Sequence, residues 1–197
     1  MSVPPDPSQS ARQPLDLEPY ADGVSYIDEL PLRWQAPGDA AIQCASPCWQ
    51  DENTRLLTTI ARIEERAAPP EDPTPVEQEL HRLHLKIDFM LEAIGGLVNR
   101  DRPPPPATSL RLSWRAIAWR ALGSVPETGT AGTVELFIHP AMAQPLRLPA
   151  RILRVENDVV CAGFEELGEP LQLALERHVF LHHRRAVAEH RSQGRRN

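Results

Sequence analysis

Lysine is nearly missing from this chain. Lys86 is the only one, and the formal net charge is −6. A nucleic-acid binder needs a basic face to neutralise phosphates, so nucleic acid is not among the expected partners. The arginines that gather late, Arg177, Arg184, Arg185, Arg191, Arg195 and Arg196 against Glu176 and Glu189, read as a solvated helix end. Cysteine is scarce as well: Cys44, Cys48 and Cys161 cannot all pair, which favours a reducing, cytoplasmic setting. Cys44 and Cys48 share a helical face, but no second Cys or His pair stands at the spacing of a structural zinc site, so no metal is expected. His81 with His84, and His178 with His182, each offer two imidazoles from one helical face without a third ligand in the sequence. No apolar run approaches the ~20 residues of a membrane helix, which argues against membrane insertion. Residues 1–22 lack the charged start and apolar middle of a targeting segment and read as a disordered tail. Catalytic motifs are also lacking. There is no G-x-S-x-G, no H-E-x-x-H and no outstanding carboxylate pair, and the GTAGT at Gly129 has no phosphate-loop lysine. The chain is therefore expected not to be an enzyme, with no catalytic residues.

Proline is abundant instead. Of its 21 copies, 13 cluster at Pro4 to Pro19, Pro69 to Pro75 and Pro103 to Pro106, which divides the chain. Between the last two clusters, Val76, Leu80, Leu83, Ile87, Met90, Ile94 and Leu97 recur in alternating steps of four and three. That is the heptad pattern of a helix that packs along another helix. With Leu80, Ile87 and Ile94 at a, Leu91 and Val98 fall at e, and the stripe grows too wide for a two-stranded zipper. Thr74 and Pro75 supply an N-cap and first residue, with Glu77 and Glu79 in the first turn where the helix dipole favours anions. The spacing thus predicts an oligomerisation helix over 76–98, with four chains expected.

An earlier amphipathic helix is predicted from Ser46 and Pro47 through Leu56, Leu57, Ile60, Ile63 and Ala67. It is expected to form a hairpin with the heptad helix, and Leu85 and Phe89, at f and c, offer a second apolar face for that in-chain partner. On either side the periodicity is two. Leu30, Leu32 and Trp34 alternate, as do Leu110, Leu112 and Trp114 and then Val134, Leu136 and Ile138, followed by RLPARILRVE and VVCAGFEEL. Turn signals at Gly129 to Gly132, at His139 with Pro140 and at Asn157 with Asp158 separate these short strands, which predicts an antiparallel barrel. Glu169 and Pro170 open a last helix with Leu171, Leu175, Val179 and His182 on one face, beside Leu173 and Phe180.

In this order of elements, SLRLSWRAIAW, VELFIHP, LRLPARILRVE and VVCAGFEELGEPLQLALERHVFLHHRR resemble the PilZ domain, a small bacterial β-barrel receptor for cyclic di-GMP. Phe164, Glu165 and Leu167 followed by LERHVF match its closing hairpin and helix. The LPLRW strand and the long helical insertion are similar to the atypical PilZ proteins of xanthomonad and pseudomonad type, whose heptad helix assembles four subunits. The resemblance implies an α+β fold: a small antiparallel PilZ-like β-barrel with a C-terminal helix and an inserted two-helix, heptad-bearing hairpin. It places a PilZ-like domain at 23–190, the helical insertion at 46–100, barrel plus C-terminal helix at 109–190, and a tail at 191–197.

The family's D/N-x-S-x-x-G ligand motif falls on Arg111, Leu112, Ser113, Trp114, Arg115 and Ala116, and keeps only the serine. A guanidinium at Arg111 replaces an acceptor, and Ala116 replaces the glycine that lets backbone approach ligand. The R-x-x-x-R motif is missing ahead of Leu30. The same string at Arg62 and Arg66, Arg111 and Arg115, Arg147 and Arg151, and Arg191 and Arg195 lacks its context. No cofactor is expected, and cyclic di-GMP binding by the usual route is not. The resemblance implies a self-assembling adaptor in cyclic di-GMP signalling, with an unidentified signalling or pilus/motility protein as partner. The alternative is a true receptor whose phosphate-gripping arginines come from Arg184 and Arg185 or a neighbouring subunit.

Overall fold

The computed structural model describes residues 15–18, 20, 23–36, 48–64, 74–98, 100, 103–140, 142 and 144–194. Six strands, β1 (Ser25–Gln35), β2 (Ala107–Ser113), β3 (Ala116–Arg120), β4 (Ala131–Leu136), β5 (Leu146–Glu156) and β6 (Val159–Phe164), close a barrel in the order β1-β2-β3-β6-β5-β4. Every pairing is antiparallel. β1 closes the ring because it is long enough to serve two neighbours: Ser25 to Pro31 pair with β2, and Leu32 to Gln35 with β4. Its partner β2 follows two helices, α1 (Trp49–Glu64) and α2 (Pro75–Val98), so these form an insertion within the barrel, as the alternation around Leu30 predicts. A last helix, α3 (Glu169–Gly194), follows β6.

The alternating apolar residues fill the interior. Leu110, Leu112, Ile117, Leu136, Leu148, Ile152 and Val160 are buried together with Leu171, Leu175 and Val179 of α3, which closes one end of the barrel. Leu173 and Phe180 stay exposed. Trp114 lies not in β2 but in the turn to β3, half-buried, because Ser113 closes that turn by accepting from the Arg115 and Ala116 amides and donating to the Ala116 carbonyl. Between β5 and β6, Asn157 takes φ 55°, a left-handed conformation that asparagine tolerates.

Two expectations are corrected here. Residues 15–18 and 20 are not free tail. Leu15 and Leu17 are buried on the outer face of the barrel against Ala116, Ala118, Val159 and Cys161, with Tyr20 beside them. Small residues on the outside of β3 and β6 leave a shallow apolar strip that the segment covers. Arg154 pairs with Asp16 at 3.0 Å, and Arg111 donates to the Leu15 carbonyl at 3.4 Å. The remainder of the expected tail lies outside the described residues.

The two inserted helices also do not form the expected hairpin. α1 spends its apolar face on the barrel core, where Leu56, Leu57 and Ile60 pack with the α3 residues. Its polar face is stitched down too. The Asn53 side chain donates to the Arg147 carbonyl (2.6 Å) and accepts from its amide (3.1 Å), while Gln50 bonds the Gly168 amide and the Glu166 carbonyl. Most of the apolar face of α1 is spent in this way, and Leu85 and Phe89 of α2, expected to meet an in-chain partner, are exposed. The expected cap at Ser46 and Pro47 and the Cys44–Cys48 spacing lie outside the described residues.

Candidate functional site

α2 is the element whose sequence and surroundings disagree most. A reciprocal cap starts it: the Thr74 amide and hydroxyl donate to the Glu77 carboxylate at 2.7 Å each, and the Glu77 amide donates back to the Thr74 hydroxyl. Those hydrogen bonds hold the Glu77 carboxyl below its ordinary pKa. Twenty-four residues of helix follow. Along them, Val76, Leu80, Leu83, Ile87, Met90, Ile94, Leu97 and Val98 are all exposed, from 45 % at Leu83 to 69 % at Val76, and Leu91 is half-buried. Among the described residues, α2 makes no extended contact with any other element. A helix gains most of its stability from packing an apolar face, and among the described residues this one is left largely uncovered.

The positions of the ligand motif lie on the opposite part of the molecule's chemistry, on the outer face of β2 and β3. Arg111 donates to the Ser25 hydroxyl at 3.0 Å as well as to Leu15. Ser113 is buried and spends its hydroxyl on the turn. Ala116 is buried under the 15–20 segment. Cys161 lies beneath the same segment and donates to the Glu18 carbonyl at 3.8 Å, and burial pushes its thiol up to about 11. What remains open is a shallow cleft of about 250 Å³ between Tyr20, Trp114, Arg115, Phe164, Leu167 and Gln172, with the Arg115 guanidinium 4.2 Å over the Trp114 ring. Small-molecule sites usually enclose ~300–1,000 Å³.

Arg147, Arg151, Arg184 and Arg185 are engaged with the protein. Arg147 bonds Glu135 (3.0 Å), which is buried between it and Arg33 (3.4 Å). Arg151 holds Glu165 at 2.7 Å and the Gly129 carbonyl at 3.0 Å. Arg185 grips both the carboxylate and the carbonyl of Glu64, and Arg184 lies 5.7 Å over the Phe180 ring. Arg66 and Arg195 lie outside the described residues.

One grouping was not legible in the sequence. Glu64, the last residue of α1, accepts from or pairs with His182 at 3.1 Å, and His178 stands one turn before His182 on α3. The expectation that no third ligand accompanies this histidine pair is corrected: Glu64, His178 and His182 each bring a ligand atom within 4.8 Å of the others. Spacing along a chain shows i and i+4 neighbours but not a residue more than a hundred positions away. Burial tends to raise the Glu64 carboxyl, but the His182 hydrogen bond and the positive charges of His182, His178 and Arg185 outweigh it and hold the group at about 2. Burial pushes His178 down to about 3, with the neighbouring His182 adding to the shift.

A family model described as "Atypical PilZ domain, cyclic di-GMP receptor" matches residues 57–192. The chain belongs to the atypical PilZ family. Among solved structures, a pathogenic protein from Xanthomonas campestris, described as a new tetrameric PilZ domain self-assembled via an unusual helical bundle, is 29 % identical. The match has a TM-score of 0.64 and covers 86 % of this chain and 93 % of that one. A search of curated proteins gives no match. The atypical PilZ domain described here is a closed antiparallel barrel, and none of its helices is long and apolar enough to cross a membrane, among the described residues.

Proposed function

We propose that this atypical PilZ protein is a non-enzymatic, cytoplasmic signalling adaptor that assembles four copies of itself through α2. On this reading α2, the second helix of the insertion over 46–100, is an assembly arm on a domain that begins near Leu15. The observation that carries it is the apolar stripe from Val76 to Val98, exposed along its length in the single chain. The description of the Xanthomonas campestris protein as a tetramer built on a helical bundle supports the same reading. The e-position residues Leu91 and Val98 widen the seam beyond what two helices cover. Replacing Leu83 and Ile87 together with lysine puts charges at d and a. The expected outcome by light scattering is dissociation to single chains with the barrel still folded, whereas an unchanged mass would remove α2 from the interface.

The ligand side of the proposal is that the dinucleotide face is closed. Arg111, Ser113 and Ala116 replace or divert the motif's groups, and the chain's own Leu15 and Leu17 cover the ground. The immediate ligand is then a protein of the signalling or motility apparatus. The family description as a cyclic di-GMP receptor favours the second reading, in which Arg184 and Arg185 or a neighbouring subunit supply the grip. Calorimetric titration with cyclic di-GMP separates the two. No heat of binding is expected at micromolar concentrations; saturable binding lost in Arg184→Ala with Arg185→Ala would establish the receptor instead.

A further inference from the structure

The Glu64, His178 and His182 cluster has the composition and placement of a metal site rather than of an ordinary ion pair. His178 and His182 are separated by one helical turn, so both imidazoles leave the same side of α3, with ring centroids 4.3 Å apart. Glu64 reaches them from the end of α1. Tyr26 of β1 orients both rings: its own ring stacks on His182 at 4.7 Å, and its hydroxyl bonds the His178 Nε2 at 3.0 Å. Two imidazoles and a carboxylate, with one position left for water, are a recurrent tetrahedral donor set for zinc.

We infer that Glu64, His178 and His182 form a binding site for a divalent transition metal of the zinc class, tying the end of α1 to α3. The ligand atoms lie within 4.8 Å of one another, and the farthest pair must close by about 1 Å to reach the ~2.0–2.2 Å metal–ligand distances of such sites. Arg185 also holds Glu64, at 2.9 Å, and its positive charge works against a cation. A carboxylate has two oxygens, however, and accepts a guanidinium and a metal together. The tie falls where it has mechanical consequence. Glu64 is the last residue of α1, and the chain runs from it through residues 65–73 into α2, so metal binding fixes the base of the assembly arm on the barrel's capping helix.

Cobalt(II) is the probe, because its visible spectrum reports coordination geometry. Full-length protein stripped with chelator is titrated with cobalt(II), alongside Glu64→Gln, His182→Gln and a His81→Gln with His84→Gln control on the exposed histidines of α2. The expected result is one cobalt per chain with the intense bands of a tetrahedral site. Those bands are lost in Glu64→Gln and His182→Gln and kept in the α2 control. Zinc then raises the Tm of the wild type and the control but not of the two site variants. Circular dichroism checks the fold of each variant, and if His182→Gln is perturbed, Glu64→Gln decides. Absence of binding, a weak octahedral spectrum, binding that survives Glu64→Gln, or binding that vanishes only with His81 and His84 each overturns the site.

Discussion

Individual residues decide how tightly the barrel and its covering segment fit. Gly132 lies in β4 beside the last residues of β1, and a Cβ there would run into the Gln35 carbonyl and the Trp34 ring. Gly132→Ala is expected to cost about 1–3 kcal/mol, the usual range for overpacking, measured as a fall in the urea midpoint. Cys161 reports on the outer face. Its thiol lies under Leu17 and titrates at about 11, so it should react with a thiol reagent far more slowly than the exposed Cys48. Leu17→Asp should detach the segment and bring Cys161 labelling, read by peptide mass spectrometry, towards the rate of Cys48. Unchanged protection would mean that the segment does not cover it. The sign with pH follows from the shifts. The folded protein favours the protonated thiol, so this contribution is present below 9.0 and is lost as pH rises towards about 11. Asp16, held low by its hydrogen bond with Arg154, loosens the segment only in acid, below its ordinary value of 3.8. Labelling should therefore accelerate in alkali and stay slow at neutral pH.

Elements were legible in the sequence where one face sufficed to define them. The heptads of α2, the alternation of β1, β2 and β4, and the buried face of α3 all follow from helical and two-residue periods, because each gathers its large apolar residues on one side. What the periods do not carry is the partner. Leu56, Leu57 and Ile60 mark α1 as amphipathic without saying whether they meet α2 or the barrel, and the barrel wins because it also offers hydrogen bonds to Asn53 and Gln50. The buried outer face of β3 and β6 did leave a trace. AIAWR and VVCAGF are apolar at nearly every position rather than at alternate ones, the mark of strands covered on both sides. Leu15 and Leu17, alternating with Asp16 and Glu18, are the matching half of that signal, hidden in a proline-rich stretch. The docking of α1 gives a further expectation. Asn53→Ala leaves the amide and carbonyl of Arg147 without their partner and should lower stability by about 1–3 kcal/mol in a urea titration, without changing the mass of the assembly.

For the molecule as a whole, the division of labour follows from where apolar surface is spent. The barrel, α1 and α3 satisfy one another and make a core without α2. α2 adds nothing to the core and carries a long uncovered stripe, which on the proposed reading is kept for other copies of the chain. On the proposed reading the ligand face is closed in the same way, by the segment that packs over Ala116 and Ala118. The measurement that tests this most directly is the mass of the intact wild-type protein in solution by native mass spectrometry, across a concentration series. The account predicts an assembly of four chains of 22.0 kDa each that falls to single chains in Leu83→Lys with Ile87→Lys. A wild type that stays a single chain at every concentration would contradict it.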